Sequence, residues 1–183
     1  MKTSAPYLTK SRYIDALRCE KKLWLGWHER LPYEEAPPFS ILDTGNRIGR
    51  GAWALFPGGV EVTEKPYEHA AAVARTASLM AGDVPAIFEA AFEYDKVRIR
   101  VDVLERLGDG WGLREVKSST SASEDKGHVD DVAVQLYVLQ GAGVDITSVE
   151  LIHVNNQYVL DEGGVVWPEM LLRRDLTMEA RDR

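Results

Sequence analysis

Three consecutive strand-like segments in the middle of the sequence constrain its fold more than any other feature. They read AIFEAAFEY, VRIRVDVLER and WGLREVKSS, and each is rich in Val, Ile, Phe or Trp. Short polar or Gly-containing breaks separate them, which is typical of antiparallel hairpin strands. If Asp95 and Lys96 form the first turn, Glu89 on the first segment lies opposite Asp102 on the second.

The second turn extends this alignment to the third segment. With the turn at residues 108–109, Asp102 lies opposite Glu115, so three carboxylates form a row on one face of the sheet. Lys117 joins that face because side chains repeat every two residues along a strand. A turn at residues 109–110 would instead place Asp102 opposite Lys117. It would keep the cluster on the same face, because the register would change by an even number of residues.

The row of carboxylates predicts a metal site. Directly opposed residues have Cβ atoms roughly 5 Å apart, and like charges there destabilise a sheet unless a cation lies between them. Carboxylate oxygens suit hard divalent ions, so we expect Glu89, Asp102 and Glu115 to bind Mg²⁺ or Mn²⁺. The carbonyl oxygen of Val116 is a further candidate ligand. Lys117 is a candidate catalytic residue, because an ammonium group can orient a nucleophile or stabilise charge that develops on a phosphate. The alternative interpretation is that these acids are solvated residues on the polar side of an antiparallel sheet.

Composition indicates a globular chain with no membrane span. The chain has 183 residues, of which 45% are hydrophobic and 28% charged, which suits one well-cored domain. No apolar run approaches the roughly 20 residues that span a bilayer, and the first residues lack the apolar core of a secretory signal. The single cysteine, Cys19, excludes an internal disulfide and is typical of a reducing compartment. We therefore expect a cytoplasmic protein that has no membrane partner.

The first 30 residues are the most basic part of an otherwise acidic chain. The net charge is −7, which argues against a protein that coats nucleic acid by bulk electrostatics. Residues 1–30 nevertheless contain seven Lys or Arg against three Asp or Glu, interleaved with aromatic residues. Such a pattern can follow a phosphate backbone and stack bases, or it can be an amphipathic helix whose aromatic residues pack inward. The nucleic-acid-binding candidates are Lys10, Arg12, Lys21 and Lys22, together with the hydroxyls of Ser118 and Ser119.

Apolar periodicity predicts helices before and after the three strands. They are expected at residues 9–29, with Thr9 or Ser11 as N-cap, and at residues 41–55, 67–80 and 129–140. A Pro-rich loop at residues 31–38 and a polar loop at residues 118–128 connect them.

The remaining strands complete an α/β domain with a mixed central β-sheet flanked by helices. A short strand is expected at residues 59–63. Another is expected at residues 148–156, parallel to the Glu115 strand because a helix connects the two. Residues 157–160 are a possible hairpin partner for it, and the tail from residue 168 begins as a helix. We expect one domain, with a helical part at residues 1–57, an α/β core at 58–160 and a C-terminal helix and tail at 161–183.

This ordered set of motifs resembles the PD-(D/E)XK nuclease superfamily. The run VDVL, with Asp102, precedes EVKSS, with Glu115 and Lys117. Supporting segments are LTKSRYIDALRCEKKLWL, TGNRIG and GHVDDVAVQLYVL, so that the resemblance covers about residues 7–158. Within the superfamily the pattern is similar to the RecB-like branch, which includes the CRISPR-associated exonucleases.

The resemblance implies a restriction-endonuclease-like core and a metal-dependent DNA nuclease. It implies an exonuclease that acts on single-stranded DNA or duplex ends, in DNA repair or defence. Residues matching Asp102 and Glu115 would hold the metal, Glu89 would supply a further ligand, and Lys117 would assist catalysis.

Three departures from the RecB-like pattern bear on activity. That branch often supplies a His ligand from the helix after the TGNRIG-like turn, where this chain has Gly49, so Glu89 must serve instead. Its later helix commonly carries Gln and Tyr four residues apart, whereas Gln135 and Tyr137 are two apart here. We place Gln135 near the site as a candidate catalytic residue and Tyr137 in the core. Many relatives bind an iron–sulfur cluster through a cysteine matching Cys19 and three C-terminal cysteines, but a lone cysteine cannot hold a cluster.

The missing cysteines leave two interpretations of the chain. It is a piece of a longer architecture, with a C-terminal domain or protein partner supplying the rest, or it has lost the cluster. The second candidate function is a nuclease-like module of a larger complex that binds DNA or protein without cutting. The acidic net charge and the absence of a histidine at Gly49 favour that alternative.

Overall fold

A mixed β-sheet organises the protein. The structure, a computed structural model, describes residues 7–29, 37–38, 40–120 and 127–183. Neighbouring strands follow the order β2-β3-β4-β5-β6-β7, with β1 paired to β4; β1–β4, β2–β3 and β5–β6 are the parallel pairs. The predicted mixed α/β fold is confirmed. Within the described ranges the seven strands are β1 (Leu8–Thr9), β2 (Val60–Glu61), β3 (Ala86–Tyr94), β4 (Val97–Leu107), β5 (Gly110–Lys117), β6 (Ile146–Val154) and β7 (Leu171–Asp175).

Both central hairpins have the predicted registers. Asp95 and Lys96 form the first turn with φ angles of 45° and 61°, and Tyr94 pairs with Val97 across it. In the second hairpin β4 and β5 pair across the turn at residues 108–109, and the alternative turn at 109–110 is not formed. Two-residue turns with positive φ match the twist of the flanking strands. The turn residues therefore fix the register of both hairpins. The β4–β5 ladder ends at the pair of Val103 and Arg114, however, so Asp102 and Glu115 do not form the predicted pair.

Helices cover the sheet and connect its parallel strands. The predicted helices at 41–55, 67–80 and 129–140 are confirmed, the first two with short 3₁₀ segments at Trp53–Leu55 and Pro66–Glu68. No helix in the described part of the chain is long and apolar enough to cross a bilayer. The helices are α1 (Lys10–Arg18), α2 (Glu20–His28), α3 (Ile41–Ala52), α4 (His69–Met80), α5 (His128–Gly141), α6 (Trp167–Met170) and α7 (Thr177–Arg181).

The prediction of one continuous helix at residues 9–29 was wrong. Thr9 caps α1 as expected, its Oγ1 accepting from the backbone N–H of Arg12 at 3.4 Å. The helix ends at Cys19, whose extended backbone has φ −165° and ψ 107°. A continuous helix rising about 1.5 Å per residue would carry its second half away from the domain. The break lets α2 pack against α1 instead.

The C-terminal segment was predicted correctly only in part. The tail begins with the expected helix, α6, but the next residues form β7. Residues 157–160 do not pair with β6, whose antiparallel partner is β7. Leu171, at the start of β7, is buried and pairs with Val154. Arg173 reaches Glu150 on β6 at 2.5 Å. These tertiary contacts override the helix propensity of Leu and Arg.

The loops predicted at residues 31–38 and 118–128 fall partly outside the described residues, which omit 30–36, 39 and 121–126.

The sheet packs between a large and a small hydrophobic cluster, and its side-chain alternation is interrupted near the middle of β3 and β4. Val103 packs in the small cluster with Ile48 of α3, whereas Val101, two residues away, packs in the large cluster. Residues two apart normally share a face of a strand. The break in alternation lies at Asp102 on β4 and at Glu89 on β3, which were predicted to lie opposite each other. The residues on either side of them pair in the predicted register, but Glu89 and Asp102 do not pair.

Candidate functional site

Glu115 is the centre of the candidate site. It lies on β5, and its side chain is buried. Its Oε1 accepts hydrogen bonds from Lys10 Nζ at 2.9 Å and from Lys117 Nζ at 2.6 Å. Its Oε2 accepts from Gln135 Nε2 at 2.7 Å and from Lys10 Nζ at 3.1 Å. Two ammonium groups and one amide therefore fix the orientation of this carboxylate.

Asp131 is a second buried acid of the site, and the sequence analysis missed it. It lies in the first turn of α5, where its Oδ1 is 3.1 Å from Lys10 Nζ and its Oδ2 contacts Lys117 Nζ. Gln135 follows four residues later, and residues with this spacing share one face of a helix. The Asp131–Gln135 spacing was thus the signal in the sequence that could have found it. Gln135 therefore contacts Glu115, and Asp131 contacts the two lysines that bind Glu115.

Lys10 occupies a position that the sequence did not indicate. We assigned it to nucleic-acid binding with its basic neighbours, but its ammonium group lies between the carboxylates of Glu115 and Asp131. Its side chain is only 17% exposed. The contact joins α1 to β5 across 105 residues of sequence. No local pattern can predict a pairing of that separation.

The ion pairs keep the lysines and Glu115 charged although they are buried. Burial alone would lower the pKa of Lys10 and of Lys117, but Glu115 and then Asp131 raise both above the usual range. Burial alone would raise the pKa of Glu115, but Lys10 and then Lys117 lower it below its usual range. Lys10, Lys117 and Glu115 therefore stay charged at neutral pH.

Asp102 is less well compensated than Glu115. Its Oδ2 accepts a hydrogen bond from the backbone N–H of Val116 at 2.7 Å. Burial, and then repulsion from Glu115, raise its pKa to about 7 against the opposing effects of Lys10 and of this hydrogen bond. Asp102 therefore binds a proton more tightly than an exposed carboxylate does.

Glu89 has a strained backbone beside the site. Its φ is +56°, in the left-handed region that is uncommon for residues other than glycine. Such conformations cost on the order of 1–3 kcal/mol and cluster at functional sites. Burial raises the pKa of its carboxyl group, and the guanidinium of Arg100 opposes this effect. The strand is thus distorted at a residue predicted to bind metal.

One cleft of about 880 Å³ brings the predicted site residues together. It lies between α1, α3 and the sheet, and Gly49 and Arg50 of α3 form part of its wall. Gln135 contacts Glu115 from α5 and does not line the cleft. The residues of the predicted site that line it are Lys10, Glu89, Asp102, Glu115, Val116, Lys117 and Ser118, and Asp131 joins them.

The other predicted site residues lie outside this cleft. Arg12 lines a neighbouring groove, and Lys21 is exposed on α2. Lys22 is also exposed and pairs with Asp15 at 2.5 Å. The backbone carbonyl of Ser119 accepts from the N–H of Val154. Cys19 is exposed.

The prediction that Tyr137 packs in the core was wrong, since it is 49% exposed and donates to Asp95 Oδ2 at 3.1 Å.

The donor atoms in the cleft fit a hard divalent cation in chemical type, but not in their present arrangement. Carboxylates and the Val116 carbonyl are the oxygen ligands that Mg²⁺ and Mn²⁺ prefer. Among the described residues, however, no three His, Cys, Asp or Glu side chains form a group that could hold a metal ion. Both oxygens of Glu115 are instead engaged by Lys10. A metal ion could share Glu115 with Asp102 only if Lys10 moved away.

Comparison of the sequence with protein-family models and with curated proteins gives no match.

Proposed function

We propose that this chain is a divalent-metal-dependent deoxyribonuclease that hydrolyses phosphodiester bonds. One observation carries the proposal: Asp102, Glu115 and Lys117, which lie on neighbouring strands, line a single cleft, and Glu115 holds the Lys117 ammonium group at 2.6 Å. Acidic ligands beside a charged lysine suit metal-assisted attack on a phosphate.

In this proposal the metal binds the oxygen donors predicted from the sequence. Glu89, Asp102, Glu115 and the carbonyl oxygen of Val116 would hold Mg²⁺ or Mn²⁺. When bound, the ion would polarise the phosphate and lower the pKa of a coordinated water molecule. No described residue offers an iron–sulfur site, because Cys19 is the only cysteine of the chain.

The surrounding residues position the catalytic lysine. Glu115 and Asp131 keep the Lys117 ammonium group charged and direct it into the cleft. A charged lysine at this point can neutralise the negative charge that develops on a phosphate as it is attacked. Gln135 fixes the Oε2 atom of Glu115 from the side of α5. Ser118 lines the same cleft, and in this proposal its hydroxyl donates to a phosphate oxygen.

The resemblance to the RecB-like branch of the PD-(D/E)XK superfamily extends this proposal to a substrate and a setting. The acid on β4, the Glu-x-Lys on β5 and the Gln on α5 follow the order of that pattern. On this basis we propose an exonuclease acting on single-stranded DNA or duplex ends, in DNA repair or defence, in the cytoplasm.

Cleavage of labelled DNA tests the proposal. Purified protein should degrade end-labelled DNA with Mn²⁺ or Mg²⁺ and should not do so in EDTA. Asp102→Asn and Lys117→Met should each abolish cleavage. The matched controls, Asp109→Asn and Lys96→Met, change exposed turn residues of the same two hairpins and should cleave like the wild type. Equal cleavage in EDTA, or cleavage that survives both site substitutions, would contradict the mechanism.

A second candidate function is a nuclease-like module that binds DNA or a protein partner without cutting. Lys10 favours it, because its ammonium group already neutralises the carboxylate that a metal would need. Gly49 favours it too, since it stands where the RecB-like pattern supplies a histidine. Wild-type protein that binds DNA but cuts none with any divalent metal would establish the module instead of the enzyme.

A further inference from the structure

A second groove, of about 430 Å³, adjoins the carboxylate cleft on the side of α1 and α2. Its walls come from α1, α2, β4 and the 3₁₀ turn before α4. Its volume is in the range of roughly 300–1,000 Å³ typical of small-ligand sites. It can therefore admit a nucleotide-sized group but not a duplex.

The groove is basic in a chain that is acidic overall. Among the described residues that line it there is no Asp or Glu, although the chain has a net charge of −7. Its cationic side chains are Lys10, Arg12, Arg98 and Arg100.

These cations are engaged to different degrees. The Arg98 Nε donates to Glu93 at 2.8 Å, and the Arg100 guanidinium donates to backbone carbonyls, that of Glu64 at 2.5 Å. Arg12 makes no ion pair with any residue that the structure describes. Its charge therefore remains to attract an anion.

Two arginine–aromatic pairs line the same groove. The Arg12 guanidinium lies 4.6 Å from the centre of the Trp27 ring, and the Arg98 guanidinium lies 3.5 Å from the centre of the Tyr7 ring. Aromatic rings and guanidinium planes are the surfaces on which unpaired bases stack. The groove thus offers both stacking surfaces and positive charge.

A buried histidine adds a polar atom to the wall. His69 lines the groove with its side chain only 7% exposed, and its Nε2 has no hydrogen-bond partner among the described residues. The nearest carboxylate oxygen, on Glu93, is 3.9 Å away. Buried polar atoms usually have a partner, but this nitrogen has almost no accessible surface, so a ligand could contact it only if the side chain moved.

The groove continues into the carboxylate cleft. Lys10, Ser11, Pro66 and Arg100 line both. A strand with one phosphate beside Lys117 would therefore pass its neighbouring nucleotide into the groove.

We propose that this groove binds one unpaired nucleotide of single-stranded DNA, next to the phosphate in the carboxylate cleft. Trp27 and Arg12 stack the base, and Arg12 and Arg98 attract the phosphate. The inference rests on the proposed function for the identity of the ligand. Its consequence is a preference for single strands over blunt duplexes, because a paired base cannot enter a groove of this size.

Binding measured without metal separates this inference from catalysis. In EDTA, a labelled oligothymidylate and a labelled blunt duplex would each be titrated with the wild type and with its variants. The fluorescence anisotropy of the label measures binding. Trp27→Leu and Arg12→Met should each weaken binding of the single strand about tenfold, the effect expected from losing one stacking surface. Binding of the duplex should change less.

Two substitutions outside the groove provide the controls. Trp24→Leu changes a tryptophan of α2 that is 55% exposed and does not line the groove, and Lys96→Met removes an exposed charge in the first hairpin turn. Both should bind the single strand like the wild type. Circular dichroism would show that each variant is folded, and Arg12→Met would decide the test if Trp27→Leu failed to fold.

Three results would overturn the inference. One is wild-type protein that binds no single strand. Another is a folded Arg12→Met variant with wild-type affinity. The third is an equal loss in the variants and their controls, which would indicate general electrostatic attraction. Binding is measured in EDTA, which prevents metal-dependent cleavage. A protein that binds single strands in this way but cuts no DNA when a metal is added would refute the proposed enzyme and still support the nucleotide-binding groove.

Discussion

Lys10→Met is the substitution that most directly examines the charge network. In the wild type the Lys10 ammonium group lies within 3.1 Å of three carboxylate oxygens, two on Glu115 and one on Asp131. Methionine keeps much of the length of the side chain but removes its charge. The two acids would then share the single ammonium group of Lys117.

The size of the effect follows from burial. Removing one partner of a buried ion pair typically costs about 3–5 kcal/mol. We expect the lower end, about 3 kcal/mol, because Lys117 and Gln135 still donate to Glu115. In a domain of this size each kcal/mol corresponds to about 2–4 °C, so the melting temperature should fall by roughly 6–12 °C.

A divalent cation should reverse the loss. If a metal takes the position that Lys10 leaves, Mn²⁺ at about 100 times its dissociation constant should restore about 2.7 kcal/mol of stability. The wild type should gain less, because its own ammonium group competes for Glu115. Thermal unfolding followed by circular dichroism, in EDTA and in Mn²⁺, measures both effects.

The control for Lys10→Met is Lys22→Met. Lys22 also pairs with an acid, Asp15, but its side chain is 61% exposed, so its removal should leave the melting temperature nearly unchanged. If Lys10→Met and Lys22→Met have the same melting temperature in EDTA, the buried charge network does not stabilise the fold as described. The metal part is refuted if Mn²⁺ stabilises Lys10→Met no more than the wild type.

Three further predictions concern the cleft and the α3 helix beside it. The raised pKa of Asp102 means that the folded state binds its proton more tightly than the unfolded state does, so Asp102 lowers stability as pH rises from about 4 to about 7, by no more than about 4 kcal/mol. The free energy of unfolding, measured with urea in EDTA, should therefore rise for Asp102→Asn relative to the wild type across that interval. A constant difference between the two proteins at every pH would contradict this prediction. Gly51→Ala should lower the free energy of unfolding by about 1–3 kcal/mol, because the added Cβ would lie 2.3 Å from the Trp167 ring. Gly49→Ala should be neutral or stabilising, because its Cβ would meet no atom within 4 Å. Equal urea midpoints for the two variants would disprove this packing. Gly49→His would place an imidazole in the wall of the cleft, and calorimetric titration should show tighter Mn²⁺ binding, while unchanged affinity would argue against a metal there.

Local chemistry explains what the sequence analysis predicted correctly. The two hairpin registers depend on short turns with defined backbone angles, such as that of Asp95 and Lys96. Such turns can be recognised from adjacent residues. Once they are placed, the period of two puts Glu115 and Lys117 on one face of β5. It does not account for Asp102, where the alternation of β4 is interrupted.

Long-range contacts explain what it missed. Lys10 reaches Glu115 from α1, and Asp131 reaches Lys117 from α5, so both contacts depend on how these helices dock on the sheet. The same is true of β7, whose Leu171 pairs with Val154. The spacing of Asp131 and Gln135 shows that they share a helix face, but no local pattern shows which strand that face meets.

The backbone at Glu89 marks a further limit of the alternation rule. That rule assumes a regular strand, but φ at Glu89 is +56° and the ladder is interrupted there. The rule correctly predicted the neighbouring pairs, because the register is the same on both sides of the distortion. It could not predict how Glu89 meets Asp102, because local strain decides that geometry.

Anomalous diffraction from crystals soaked in Mn²⁺ tests the central claim most directly. The proposed metal site predicts one strong peak in the carboxylate cleft, within coordinating distance of Asp102 and Glu115, with the Lys10 ammonium group displaced from Glu115. Crystals of Asp102→Asn should show a weaker peak or none. A map with no peak in the cleft, and with Lys10 still bound to Glu115, would contradict the claim.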